Sequence, residues 1–526
     1  MKLLTSIKIM KKFTQFLFVT LTLVSVSCNK GNDPIVPAVD DPVVTAPTGI
    51  TVQVGNSVDL AFIVEAPGKI ALVEVVASSG VVSGDFSSLT GQTSGTVMVN
   101  YTAPATAGSQ TITVTVTDQQ ASPKKAIVSA NVMVSENMAI SNEVVSGSIT
   151  ADATWTADRI WELASKVVIE DGVTLTIEPG TIVKGRTGTG SLATALIIAR
   201  GGKLMAQGTA NKPIIFTTIE DNIEVGQLMG TNLTEEDVEM WGGLVILGKA
   251  PISAENGDTE AQIEGIPADE PFGTYGGSSS DDNSGTITYV SVRHGGALIG
   301  EGNEINGITL GGVGSGTTMD HIEVYATLDD GIEFFGGTVN LTNVIISYQQ
   351  DDGLDIDQNY SGTVTNFLVQ HGGISTDEGL EIDGPEGTTN VDGLFTLKNG
   401  IVRSLGGTDV GTPADLKSKA QGTIDNVTFM DYPSGDELIK IRASYNDADC
   451  SAKEDAFTHF TDATPTLNLM TSNFAGVTVY TKSTVCTVSD ADQTAANNAA
   501  SPSGSAAGAD TSEFENWTIA SLLGIL

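Results

Sequence analysis

Four short motifs, Asn306-Gly-Ile, Asp330-Gly-Ile, Asp352-Gly-Leu and Glu378-Gly-Leu, recur at intervals of 24, 22 and 26 residues. A near-fixed period of this length marks a solenoid, in which each repeat buries its apolar face only by stacking on the next. The residues after each glycine alternate. Ile332 and Phe334, Leu354 and Ile356, Leu380 and Ile382 share one parity; Glu333 and Phe335, Asp355 and Asp357, Glu381 and Asp383 share the other. Neighbouring strand residues point to opposite faces, so the first set is expected to fill the bore of a coil and the second to face outward.

The start of the solenoid carries a more specific signature. Leu175-Thr-Ile-Glu-Pro-Gly180, then Gly201-Gly-Lys-Leu-Met-Ala-Gln-Gly208 before Lys212-Pro-Ile-Ile-Phe216, mark strands broken by tight turns. These residues resemble the first coils of exported bacterial right-handed parallel β-helix proteins of the pectin-lyase-like superfamily, many of them Bacteroidota-type surface lipoproteins. The likeness covers about residues 150–430 and implies the fold; the family holds both enzymes and non-catalytic proteins. Composition agrees with an all-β chain of short strands and many turns: 59 glycines, 6% aromatic and 17% charged residues.

The N-terminus reads as an address. Lys8, Lys11 and Lys12 precede the apolar run Phe13–Ser27, which is too short for an ordinary membrane span, and Cys28 follows. This resembles a lipoprotein signal over residues 1–27, with Cys28 acylated and residues 28–41 as a flexible tether. Ser25 departs from the Leu-like residue usual there. From 42 to 136, period-two runs such as Val52/Val54, Ile112/Val114/Val116 and Val128/Ala130/Val132/Val134, punctuated by Gly and Pro, predict an immunoglobulin-like β-sandwich. The β-helix is expected over 137–487, a low-complexity linker over 488–513, and a segment capping the open solenoid end over 514–526. Cys450 and Cys486 lack the partners of a zinc site, and in an oxidising compartment suit a disulfide.

Charge narrows the partners. Lys and Arg number 25 against 64 Asp and Glu, a net charge of −39. Such a surface repels phosphate backbones, so nucleic acid is excluded; membrane contact is expected through the lipid anchor alone. Neither a phosphate-binding loop nor a zinc motif is present, and the four histidines are scattered.

The outward positions are where chemistry is expected. With the register continued into the later coils, one column is expected to read Glu333, Asp355, Glu381, Lys417, Lys440, and its neighbour Phe335, Asp357, Asp383, Lys419, Arg442. Stacked strands lie about 4.8 Å apart, and each like-charge pair costs roughly 1 kcal/mol in water and more when shielded. A bound Ca²⁺, shared protons, or the lysines of the next coils would offset this. Asp355, Asp357, Glu381 and Asp383 are the candidate Ca²⁺ ligands; simple ion pairs on a solvated face are the plainer alternative.

The resemblance implies an enzyme reading as well. In a lyase of this fold the same four carboxylates would hold the ion, with Lys417, Lys440 or Arg442 as base. In a hydrolase, Asp351 and Asp352 would do acid and base work beside His371-Gly-Gly. Against the latter, Arg293-His294-Gly-Gly repeats that tripeptide in an earlier coil, and Asp329-Asp330-Gly stands where the family's Asn-x-Asp would be. The sequence favours a cell-envelope lipoprotein, at the outer membrane or cell surface, that binds glycan or an envelope protein. A polysaccharide lyase or glycoside hydrolase, and a structural or adhesive stalk, stay open. Ile219–Met240 and Ala254–Asn283 read as insertions between coils, with Trp241 and Tyr275 as packing residues, Tyr275 equally a sugar platform.

Overall fold

The computed structural model describes residues 39–135, 142–266, 270–300, 303–373, 375–407 and 410–526. The expected signal peptide, Cys28 and most of the tether lie outside the described residues. Two compact units divide the chain, Met1–Met138 and Ala139–Leu526.

The first unit is a β-sandwich of two four-stranded sheets. One orders Val43–Thr45, Ser57–Glu65, Ser94–Thr102 and Val81–Ser83; the other Ile50–Gln53, Lys125–Ser135, Gly108–Asp118 and Ile70–Ala77. The alternation decides which residues go inside. Leu60, Phe62, Val64, Val97 and Val99 from one sheet meet Val114, Val116 and Val132 from the other in one core.

The second unit is a parallel β-helix. Ile332–Phe335 stacks in parallel on Leu354–Asp357, which stacks on Leu380–Ile382. Ile332, Phe334, Leu354, Ile356, Leu380 and Ile382 are fully buried in the bore. The repeated glycines are there for space. A Cβ on Gly331, Gly353 or Gly379 would collide with Ile346, Val369 or Val402 and crowd the backbone of the next coil. Longer strands, Thr318–Tyr325, Asn340–Ser347, Thr363–Gly373, Phe395–Gly407 and Gly422–Met430, bend round a corner of each coil. There Asn343, Asn366, Asn399 and Asn426 take left-handed φ of 54–57° or close to it (55°, 57°, 56° and 56°), a conformation Asn tolerates.

The insertion at 254–283 lies over one exterior face. Ile263, Ile266 and Tyr275 cover Ile197, Val245 and Phe335, and the Tyr275 hydroxyl donates to Gln358 Oε1 at 3.0 Å. Tyr275 is therefore a packing residue, 2% exposed. Trp241 is fully buried, donating from Nε1 to the Arg293 carbonyl at 2.8 Å.

The C-terminal end departs from expectation in two ways. Within the span read as a linker, residues 490–499 form helix α2 (Asp490–Ala499), capped reciprocally by Ser489 and Asp492. Its Ala-rich composition suits a helix once a cap starts it and Ala496 finds the core. Together with α1 (Ala456–Thr461), whose Phe457 and Phe460 join the bore, it closes the last coil. The cap expected from residues 514–526 is thus supplied by α1 and α2. Residues 514–526, with α3 (Ile519–Leu523), lie instead along the flank, where Phe514, Trp517 and Ala520 pack on Ile345 and Leu368. Cys450 and Cys486 are joined by a disulfide near this end, Cα to Cα 5.6 Å.

Candidate functional site: a buried acidic ladder beside two clefts

Two acidic columns run side by side. The residue before each repeated glycine forms the turn column: Asn306, Asp330, Asp352, Glu378. Here the Asp330 and Asp352 carboxylates stand in for a carbonyl where the turn interrupts the ladder, and Glu378 takes a hydroxyl. The Asp352 N–H donates to Asp330 Oδ1 at 2.9 Å, the Glu378 N–H to Asp352 Oδ1 at 2.6 Å, and the Thr412 hydroxyl to Glu378 Oε1 at 3.1 Å.

The strand column differs from the expected one in a single coil. Thr309, Glu333, Asp355, Glu381, Asp415 and Lys440 are partners in register. Asp415 therefore takes the place assigned to Lys417. Lys417 stands instead in the neighbouring column, its N–H bonded to the Ile382 carbonyl, and Lys419 lies beyond the strand at φ +63°. The difference is a slip of two residues, which conserves the inside–outside parity but would set Ser418 rather than Leu416 level with Ile382. Leu416 settles the register by packing level with Ile382.

The two columns converge. Carboxylate oxygens of Asp330, Glu333 and Asp355 lie within 4.8 Å of one another, as do those of Asp352, Asp355 and Glu381, and of Asp329, Asp330 and Asp351. Of the four predicted ligands, Asp355 and Glu381 enter these groups; Asp357 and Asp383 do not. Asp330, Glu333, Asp352 and Asp355 are 4–8% exposed (6%, 5%, 4% and 8%). Burial first, then the neighbouring carboxylates, pushes all four well above the usual carboxylate range, and Asp357 with them. Asn306 Nδ2 donates to Glu333 Oε2 at 2.5 Å. Among the described residues, Asn306 Oδ1 and Asp355 Oδ1 are buried without a hydrogen-bond partner. Buried oxygens rarely stay unsatisfied. A cluster offering only hard oxygen donors fits a hard cation such as Ca²⁺.

The cations expected to act as bases are occupied. Lys417 pairs with Glu381 and, at 3.5 Å, with Asp383; Lys440 lies 2.5 Å from Glu378; Arg442 lies 3.7 Å from Asp455. Burial opposes the charge on Lys417, but Asp383 and Glu381 outweigh it and raise its pKa.

Two clefts flank the ladder. One, of about 650 Å³, holds Asp357, Glu381, Asp383, Lys417, Lys419 and Arg442. The other, of about 760 Å³, holds Asp351, Asp377, Tyr432 and Lys440. In the second, Asp377 is raised to about 6 by burial, then by a hydrogen bond and charge from Glu378. Sequence reading passed over Asp377, though a signal was present: Asp329-Asp330, Asp351-Asp352 and Asp377-Glu378 are acidic doublets, each before a repeated glycine. His371 is fully buried beneath Tyr432, hydrogen-bonded to its hydroxyl, and burial pushes it down to about 4. It is thus a neutral packing group. His294 is buried too, but turns at φ +58°, whereas His371 stays in a strand.

A parallel β-helix with a converging acidic ladder on its exterior defines the class of molecule. The chain belongs to the pectate-lyase-like β-helix domain family, whose model matches residues 147–520. Among solved structures, a family 28 exopolygalacturonase from Yersinia enterocolitica is 12% identical over 86% of this chain and 98% of its own, with a TM-score of 0.19. The SrpA adhesin from Streptococcus sanguinis is 15% identical over 19% of this chain and 60% of that chain, and a mutant of it 17% identical over 19% and 58%, both at a TM-score of 0.16. This chain therefore spans 58–60% of the adhesin chains it matches. At such scores these likenesses say nothing about function. No curated protein matches the sequence.

Proposed function

We propose that this protein is an exported, lipid-anchored envelope protein whose β-helix binds glycan or an envelope partner on the face of the acidic ladder, with Ca²⁺ seated in the ladder. The observation that carries the cation is Asp355 Oδ1, buried where two carboxylate groups meet and, among the described residues, without a hydrogen-bond partner. Asp330, Glu333 and Asp355, with Asp352 and Glu381 adjoining, would hold the ion. Its charge would offset their mutual repulsion and fix the coils that shape both clefts. A non-catalytic role is favoured because Lys417 and Lys440 are held charged by neighbouring carboxylates, which makes them poor bases, and Arg442 is ion-paired with Asp455. A second reading, a glycoside hydrolase, rests on Asp377, whose carboxyl titrates at about 6 in the larger cleft.

The test is thermal unfolding of the chain lacking residues 1–28, in EDTA and then in millimolar CaCl₂. Binding to the native state alone should raise Tm by roughly 5 °C or more, and Asp355→Asn should lose most of that rise. An unchanged Tm in the wild type sinks the calcium site. The same preparation, incubated with a panel of polysaccharides near pH 6, would register the hydrolase reading as new reducing ends, and the binding reading as retention without cleavage.

A further inference from the structure

Residues 507–526 run back along the flank of the solenoid as a strap. The Ala507 N–H donates to Asn426 Oδ1 at 2.7 Å, and Asp510 exchanges two hydrogen bonds with Asn366, at 2.6 and 3.2 Å. Further on, the Ala520 N–H donates to Glu323 Oε1 at 3.3 Å. The strap thus follows the column of left-handed asparagines, which also bond to one another: Asn366 Nδ2 to Asn343 Oδ1 at 2.7 Å, Asn426 Nδ2 to Asn399 Oδ1 at 2.8 Å.

One coil breaks the pattern where the strap crosses it. His321, at φ +57°, stands level with Asn343 in this column. Its ring lies between two carboxylates. Nδ1 is 2.9 Å from Asp320 Oδ1, and Nε2 is 3.1 Å from Glu513 Oε2 of the strap. Tyr289 from the preceding coil stacks on the ring at 4.1 Å, and Trp517 of the strap meets it edge-on at 6.1 Å. Asn343 Nδ2 stands 3.5 Å from Nε2. Two residues along the strand, Glu323 is neutralised from below by Arg293 at 3.7 Å, both fully buried.

Of the two contacts, Nε2 is hydrogen-bonded to Glu513, whereas Nδ1 faces Asp320 by charge alone, so both carboxylates hold the ring only when it is protonated. We propose that His321 is a proton-controlled latch that fastens the C-terminal strap to the flank of the β-helix, tight when the ring is charged and eased when it is neutral. Burial opposes the charged ring, but Asp320 and Glu513 outweigh it, so its pKa stands above the ordinary value. The sign follows. With the strap closed the pKa is raised, so the latch acts in full below the open-state value near 6.5 and is lost as pH rises through the closed-state value. What the strap closes is defined: Ile519 and Leu523 wall a cavity of about 230 Å³ whose other side carries Asp221, His294 and Tyr325. The latch is independent of the calcium and glycan readings.

Hydrogen exchange of the full chain tests it. After correction for intrinsic rates, amides within 511–523 should open roughly fivefold more often at pH 8.5 than at pH 6, while strand Asn340–Ser347 is unaffected. His321→Asn supplies the residue that Asn343, Asn366, Asn399 and Asn426 provide in the coils that follow, so it should fold, and it should flatten the pH dependence, as should Glu513→Gln. Protection of 511–523 that does not change with pH, or a wild-type slope in Glu513→Gln, overturns the latch.

Discussion

At Gly353 a single methyl group decides whether two coils can stack. Its Cβ would strike Val369 and the Gly379 carbonyl, neither of which has room to move within the bore. Gly353→Ala should cost about 1–3 kcal/mol, the usual range for overpacking, measured as a lower denaturant midpoint at unchanged slope. The motif that betrayed the solenoid was legible from the sequence, but its reason was not: the period announces a turn, whereas the glycine answers to a side chain one strand away. The same holds for Asp330 and Asp352. They appeared as period markers, and only the stacked coils show their carboxylates accepting the next coil's N–H. Asp377 and Asp415 went unread because alternation tells only inside from outside: it does not show that Lys440 of a later coil shares the cleft of Asp377, or that Asp415 stands level with Glu381.

Elements of this protein are set by neighbours as much as by propensity. The strand Asp415–Leu416 is two residues long, too short for its own pattern to fix a register; the buried partner Ile382 fixes it. Helix α2 was invisible as anything but low complexity, since its sequence offers almost no apolar face and only Ala496 is buried. The end cap built from α1 and α2 is tied by the disulfide Cys450–Cys486, which closes a separation of 36 residues. Cys450→Ser should destabilise by about 2–4 kcal/mol through the freed chain, and reduction of the wild type should match it. Both would appear as a lower unfolding midpoint.

Over the whole molecule the acidic ladder sets the response to pH. Asp330, Glu333, Asp352, Asp355 and Asp357 all have folded pKa values raised by burial and by one another. Such groups hold protons more firmly folded than unfolded. Their contribution is complete below the unfolded value near 4 and is lost as pH rises through the raised folded values. Metal-free protein should therefore lose Tm between pH 5 and pH 8, and CaCl₂ should restore it chiefly at pH 8. A Tm that climbs with pH in EDTA would show that these carboxylates are comfortably ionised. The sequence by itself determined the solenoid, its period, and which residues face the bore, because the face a side chain takes follows the alternation along one strand. Tertiary structure alone decided which charges meet, which end is capped by what, and where the C-terminus lies. Those depend on registers between coils, and a slip of two residues keeps the inside–outside parity while moving every charge to a new partner.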